Sequence, residues 1–305
     1  MNSKCISKVC AVAVALCGGV YAAEPEKPVV QEEKETSLSD FVSFEAGIKF
    51  DSKYVSYGLI DNKDPIITPS ASVSFFDFLY FGVSAIFDIT KNGKKAGYSN
   101  RGGRYTDLYP EAGVYYSFTP DEFSWLPTTI DVDFCYTYEY HPSAMGKDGN
   151  GWDEDSHFLT LEIGLPDIPL EPVFTYERDI DRDDGTYLNL ELGHTFAIID
   201  AEEEDADAAL DFRLSVAQGF GNSQRVKYYL YTKDDEPLNH SGLMDTCIKG
   251  EITWRPCEYC SISGYVAYYD FIFDSHIREA ANIYEPTGSD ERNNFVAGLA
   301  LNTSF

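Results

Sequence analysis

Carboxylates dominate the residues that could do chemistry. Asp131, Asp133 and Glu139 share one stretch at even spacings, and Asp107 and Glu111 share another. On an extended chain an even spacing puts side chains on one face. Glu45, Asp88, Glu177, Glu191, Asp211 and Glu251 hold equivalent places in other alternating stretches, with Lys49, Arg213 and Lys249 as the basic members. Such a face around water sets a field that favours cations. Adjoining carboxylates could also hold Ca²⁺ or a proton. For any single residue the blander reading, a solvated wall with ion pairs, carries more weight, so the functional hint lies in the shared sign.

Catalytic patterns are missing. A nucleophilic serine needs a neighbouring imidazole and a group to orient it. The five histidines are His141, His157, His194, His240 and His276. His240 and Ser241 adjoin, but neighbours on a strand point to opposite faces. There is no Gly-x-Ser-x-Gly, no His-Glu-x-x-His and no phosphate-binding loop. The chain is expected to be no enzyme and to need no cofactor. Asp179 to Gly185 is acidic like a calcium loop, but its glycine comes one place late and no helices are expected around it. It reads as a turn.

The elements that must position these residues are strands. From Asp40 onward apolar and polar residues alternate. Phe44, Ala46, Ile48 and Phe50 oppose Glu45, Gly47, Lys49 and Asp51, and Ile130, Val132, Phe134, Tyr136 and Tyr138 oppose Asp131, Asp133, Cys135, Thr137 and Glu139. Twelve stretches of this kind are visible, each of about ten residues, enough for a tilted strand to cross a bilayer. An even number suits a closed up-and-down barrel with both ends on one side. Pro110 and Pro172 interrupt the pattern and leave ten or fourteen strands open. Connections after odd strands are long and polar (91–104, 141–156, 219–242, 274–293), and those after even strands are shorter, with strained cases at Asp181 and Asp200. Tyr and Phe are abundant, 22 and 20, as suits sheets and membrane boundaries. The rival fold, a soluble sandwich, shares the alternation but needs no such loop asymmetry.

The rest of the chain fits an exported protein. Lys4, Lys8 and the apolar stretch Val9 to Val20 read as a signal peptide with cleavage after Ala22. A lipoprotein signal cut before Cys17 is the weaker alternative, because Leu16 stands where a small residue is needed. Residues 23–39 read as an acidic disordered linker, and 40–305 as the barrel. The net charge of −28 argues against nucleic acid as a partner. Four of the seven cysteines follow the signal, and Cys257-Glu-Tyr-Cys260 reads either as a small disulfide or as two free thiols.

Asn293 to Phe305 resembles the closing strand of Gram-negative outer-membrane β-barrels, with Leu299, Leu301 and Phe305 on its apolar face. That resemblance implies that the terminal Phe marks the chain for the barrel-assembly machinery and that the strand pairs with the first. Lys53 to Leu59, Pro65 to Phe75 and Phe81 to Ala85 together resemble the TorF-like porin family, although Tyr57 stands where that family has Arg. The resemblance covers roughly the first quarter of the barrel plus the closing strand. It implies an outer-membrane barrel of pore function and supplies no substrate. With the alternation and the acidic face, the chain reads as an all-β transmembrane barrel in the bacterial cell outer membrane, surrounded by lipid, that passes small hydrophilic solutes and leans towards cations. Self-association is left open. The alternative is a non-conducting structural or adhesive barrel that works through its long loops.

Overall fold

The computed structural model describes residues 41–89, 105–141, 155–200, 209–283 and 294–305. Alternation becomes twelve antiparallel strands closed into one barrel. They are β1 (Val42–Asp51), β4 (Ile66–Phe75), β5 (Leu79–Asp88), β6 (Tyr105–Phe118), β7 (Ile130–Glu139), β8 (Ser156–Gly164), β9 (Val173–Asp179), β10 (Thr186–Ile199), β11 (Leu210–Gly221), β12 (Gly242–Cys257), β13 (Cys260–Asp270) and β14 (Phe295–Ser304). A separate hairpin, β2 (Tyr54–Ser56) and β3 (Leu59–Asn62), lies in the first long connection. Two short helices, α1 (Ser223–Tyr229) and α2 (Ser275–Ala281), lie in the last two.

Each barrel strand pairs with its sequence neighbours, and β1 pairs with β14 to shut the ring. The seam ends in a reciprocal bond: Phe305 N donates to Phe44 O at 2.8 Å, and Phe44 N to Phe305 O at 2.9 Å. The prolines fit without changing the count. Pro110 keeps register opposite Val83, and Pro172 falls just before β9. Pro69, within β4, sits where the β4–β5 ladder is interrupted between Ile67 and Ser70. An amide that proline lacks is least missed at such a break.

The distribution of polarity is the reverse of a water-soluble protein. Phe44, Ile252, Val266 and Leu299 are half exposed or more, whereas Asp88, Asp107, Asp179 and Asp245 are buried. Apolar side chains point out around the ring and carboxylates point in. A sandwich would hide the same apolar residues between two sheets. The outer face therefore needs an apolar surround, and closure removes the strand edges that such a surround could not satisfy.

Phe41 and Phe305, where the described residues begin and end, mark one end of the barrel, its chain-end side. Connections there are 76–78, 119–129, 165–172, 200–209 and 258–259. Rings cluster at this rim: Tyr116 touches both Phe78 and Phe118, and Phe123 joins Phe118 to Trp125. The far end carries the longer connections and a second set of rings, including Tyr136, Tyr138, Tyr268 and Phe295. The two connections that strain the length rule, 180–185 and 200–209, still lie on the expected sides.

The apolar core sits in the far mouth of the barrel. Leu59, Val226, Leu230, Met244, Phe271, Ile277 and Ala280 pack together there. They come from β2–β3, from the segments carrying α1 and α2, and from β12. Three connections thus fold inward. The helices are set by their caps: Asn222 accepts from Arg225 N at 3.0 Å, and Asp274 accepts from His276 N at 3.0 Å and Ile277 N at 3.2 Å.

Candidate functional site

The lumen divides into an open chamber near the chain ends and a packed plug at the far mouth. The chamber has a volume of about 1090 Å³, and its wall includes Glu45, Ser70, Ser72, Glu111, Arg255 and Asn302. A side recess of about 230 Å³ is lined in part by Asp131, Asp133, Glu162 and Arg213. Asp133 and Glu162 stand directly opposite one another on β7 and β8. Like charges so placed repel unless water or a cation screens them. Neutral hydroxyls serve these carboxylates and Asp131 instead: Tyr80 Oη donates to Asp133 at 3.0 Å, Thr175 Oγ1 to Glu162 at 3.4 Å and Ser117 Oγ to Asp131 at 2.6 Å. Among the described residues no ion pair joins Glu45, Glu111, Asp131, Asp133 or Glu162 to a cation.

Other lumenal charges are matched. Lys49 pairs with Asp51 at 3.0 Å, Arg213 with Glu191 at 3.2 Å and with Glu171, Lys249 with Glu251, and Arg255 with Asp211. Lys49 and Lys249 also approach the ring of Tyr265, at 5.2 and 4.9 Å from its centroid. Glu171 belongs to the turn 165–172, which folds back on β10. Burial works against its charge, but the Thr195 amide at 2.9 Å and Arg213 prevail and hold the carboxyl below its usual range.

The plug begins with β2–β3. Its tip, Tyr57–Gly58, has φ of 49° and 78°. A Cβ on Gly58 would lie 2.2 Å from the Asp245 Cβ on β12, so the tip meets the wall at β12 closely enough to require glycine. Arg225 of α1 is wholly buried beside this tip. Its Nη1 donates to Tyr57 Oη at 3.0 Å, its Nη2 reaches Glu177 Oε1 on β9 at 3.2 Å, and its Nε faces Asp183 Oδ2 at 3.4 Å. The guanidinium also lies 4.7 Å from the Tyr57 ring centroid.

Arg182, in the connection 180–185, forms the second anchor. It pairs with Glu139 at 2.9 Å and with Asp179 at 3.7 Å, and donates to Tyr229 Oη at 3.2 Å. His141 stands beside it, bonded through Nδ1 to Asp107 and 3.4 Å from Glu139 through Nε2. Burial opposes a charge on this imidazole, but the hydrogen bonds and charges of Asp107 and Glu139 outweigh it and push the pKa up to about 10. At Asp183 burial wins instead and pushes the carboxyl up, despite Arg225. Between the tip and the wall remains a cavity of about 270 Å³, whose lining includes Tyr54, Tyr109, Glu139, Glu177, Arg182 and Tyr229.

The expected lumenal residues thus separate into groups. Asp107, Glu139 and Glu177 serve the plug, Asp88 is buried at the far end of β5, and Glu45, Glu111, Asp131 and Asp133 face the chamber or its recess. Asp211, Arg213, Glu191, Lys49, Lys249 and Glu251 form pairs on the wall. The stretch Asp179 to Gly185 is a bend in which Asp179, Asp183 and Asp184 face guanidinium groups and Asp181 lies 4.0 Å from His157. Leu299, Leu301 and Phe305 lie on the outward face of the closing strand and beyond its end. Cys257 and Cys260 are register partners across their turn, and all four cysteines of the described residues are free thiols. Ala22, the signal and the linker lie outside the described residues.

Sequence reasoning missed Arg182, Arg225, His141, Tyr57, Glu162 and Glu171. One available signal was the pair Val226 and Leu230, four residues apart in a segment read as wholly polar. Another was a solitary arginine inside an acidic turn.

No family model matches the chain, and no curated protein matches it by sequence. Solved structures do match in shape. The chain is similar to the COG4313 outer membrane channel from Pseudomonas putida F1, at 9% identity and a TM-score of 0.48, over 91% of this chain and 100% of that one. It is similar to the Acinetobacter baumannii outer membrane protein Omp33, at 9% identity and a TM-score of 0.36, over 87% and 99%. Salmonella typhi OmpF gives 9% and 0.34, over 87% and 97%.

Proposed function

We propose that the protein is an outer-membrane channel for small hydrophilic solutes, cation-leaning, with its entrance narrowed by inward-folded loops. One observation carries this reading: a closed barrel that is apolar outside encloses a polar chamber of about 1090 Å³. A purely structural barrel has no use for so large a hydrated space. In this reading the chain ends face the periplasm, the plug faces the exterior, and the outward face meets outer-membrane lipid. The carboxylates without ion pairs supply the cation preference, and the plug cavity between Tyr54, Glu139 and Tyr229 is the step that selects by size. Assembly machinery would receive the strand ending in Phe305.

Swelling of liposomes carrying the purified protein tests the reading. Small neutral and cationic solutes should enter faster than anionic ones of equal size. Folded protein that admits none of them would support the second reading, a non-conducting barrel that presents its outer loops. The packing of Arg225 and Arg182 in the mouth is the observation that favours that rival.

A further inference from the structure

Two of the five histidines meet outside the lumenal network, on the segments that flank the plug. His240 precedes β12, and His276 lies in the first turn of α2. Between them stands Asp274, the cap of α2. His240 Nε2 is 2.8 Å from Asp274 Oδ2, and His276 Nδ1 is 3.8 Å from Asp274 Oδ1. The two imidazole rings are 5.2 Å apart, and one ligand atom from each of the three residues falls within 4.8 Å of the others.

We infer that His240, Asp274 and His276 form a site for a divalent transition metal of the Zn²⁺ class. Imidazole and carboxylate are the donors such ions take, and three protein ligands leave a fourth place for water. Donors held about 2.0–2.1 Å from a tetrahedral ion stand roughly 3.3 Å apart, so small side-chain movements suffice. The support is already built. Asp274 Oδ1 is fixed by the amides of His276 and Ile277, which leaves Oδ2 aimed at His240. Gly242 is part of the fit, since a Cβ there would lie 2.2 Å from Asp274 Oδ2. Ile277, one residue beyond His276, is anchored in the plug core. The ligands come from two separate connections, so a bound ion would clamp them and hold the mouth shut. The side chain of His276 is 72% exposed, which gives the ion access from solvent.

The test is Zn²⁺ titration of the detergent-folded protein by calorimetry, with Co²⁺ absorption reporting tetrahedral coordination. His240→Ala and His276→Ala are the variants, because neither side chain lies in the core. Circular dichroism and heat-modifiable migration on gels confirm that each variant is folded. One equivalent of metal per chain is expected, with affinity lowered by at least about tenfold in each variant. Equal binding by the protein and the double variant would assign the metal to scattered surface carboxylates and overturn the inference. Absence of binding would overturn it too. The readout is binding and not conduction, so its failure leaves the channel reading standing.

Discussion

Arg225, carried on a helix in one connection, holds Glu177 on the barrel wall through a 3.2 Å contact between Nη2 and Oε1. Its side chain is fully buried, and the same guanidinium meets Tyr57 from another connection and Asp183 from a third. One residue therefore ties three connections, those carrying Tyr57, Asp183 and α1, to a strand. Buried charges tied in this way are costly to break, because removing one partner strands the others.

Arg225→Met should release the plug. Leaving Glu177 and Asp183 uncompensated costs about 3–5 kcal/mol of local stability. The barrel, held by its strand ladders, should remain. Amide exchange should then rise in 53–62 and 223–230 but not in β10 or β11, and solute entry should rise with it. Unchanged exchange in those segments would show that the ion pairs do not hold the mouth.

His141 makes the plug sensitive to alkali. Its folded pKa of about 10 lies above the unfolded value of about 6.5. The stabilisation is therefore complete below pH ~6.5 and is lost as pH rises through about 10. Exchange-detected opening of the mouth should increase across that window. In His141→Gln the same series should be flat.

An outward-facing residue should tolerate no charge. Leu299 is 61% exposed on the closing strand. If it meets lipid near the bilayer midplane, Leu299→Arg costs about 2–4 kcal/mol and reduces the yield of heat-modifiable folded protein. On a water-facing surface the same change is near neutral. Equal yields would show that Leu299 does not face lipid.

Cys257 reports the orientation of the barrel. It is exposed at the turn beside the chain ends, whereas Cys135 is buried. After mild reduction, an impermeant maleimide should label Cys257 only when the outer membrane has been permeabilised. Labelling on intact cells would place the chain ends outside.

The barrel was legible because each strand must alternate: one face meets apolar surroundings and the other meets water, and Ile130 to Glu139 writes that rule out plainly. Twelve strands, their order and the side of each connection followed from it. The pairing of the closing strand with the first followed from its resemblance to outer-membrane closing strands, and the bonds between Phe44 and Phe305 complete it. The plug was not legible, because its contacts join residues far apart in sequence, such as Arg225 with Tyr57, and no local period records them. The polar loops concealed short helices whose few apolar residues, Val226, Leu230 and Ile277, are too sparse to stand out. The same distance in sequence hides that Glu177 and Glu139, wall residues on β9 and β7 that line the plug cavity, also pair with Arg225 and Arg182.

Planar-bilayer recording across a KCl gradient measures whether a water-filled path lined by carboxylates without ion pairs crosses the barrel. Discrete conductance steps should reverse towards the potassium equilibrium potential, and the joint substitution Asp131→Asn, Asp133→Asn and Glu162→Gln should move that reversal towards zero. Folded protein that leaves the bilayer silent, or steps that reverse towards the chloride potential, would contradict it.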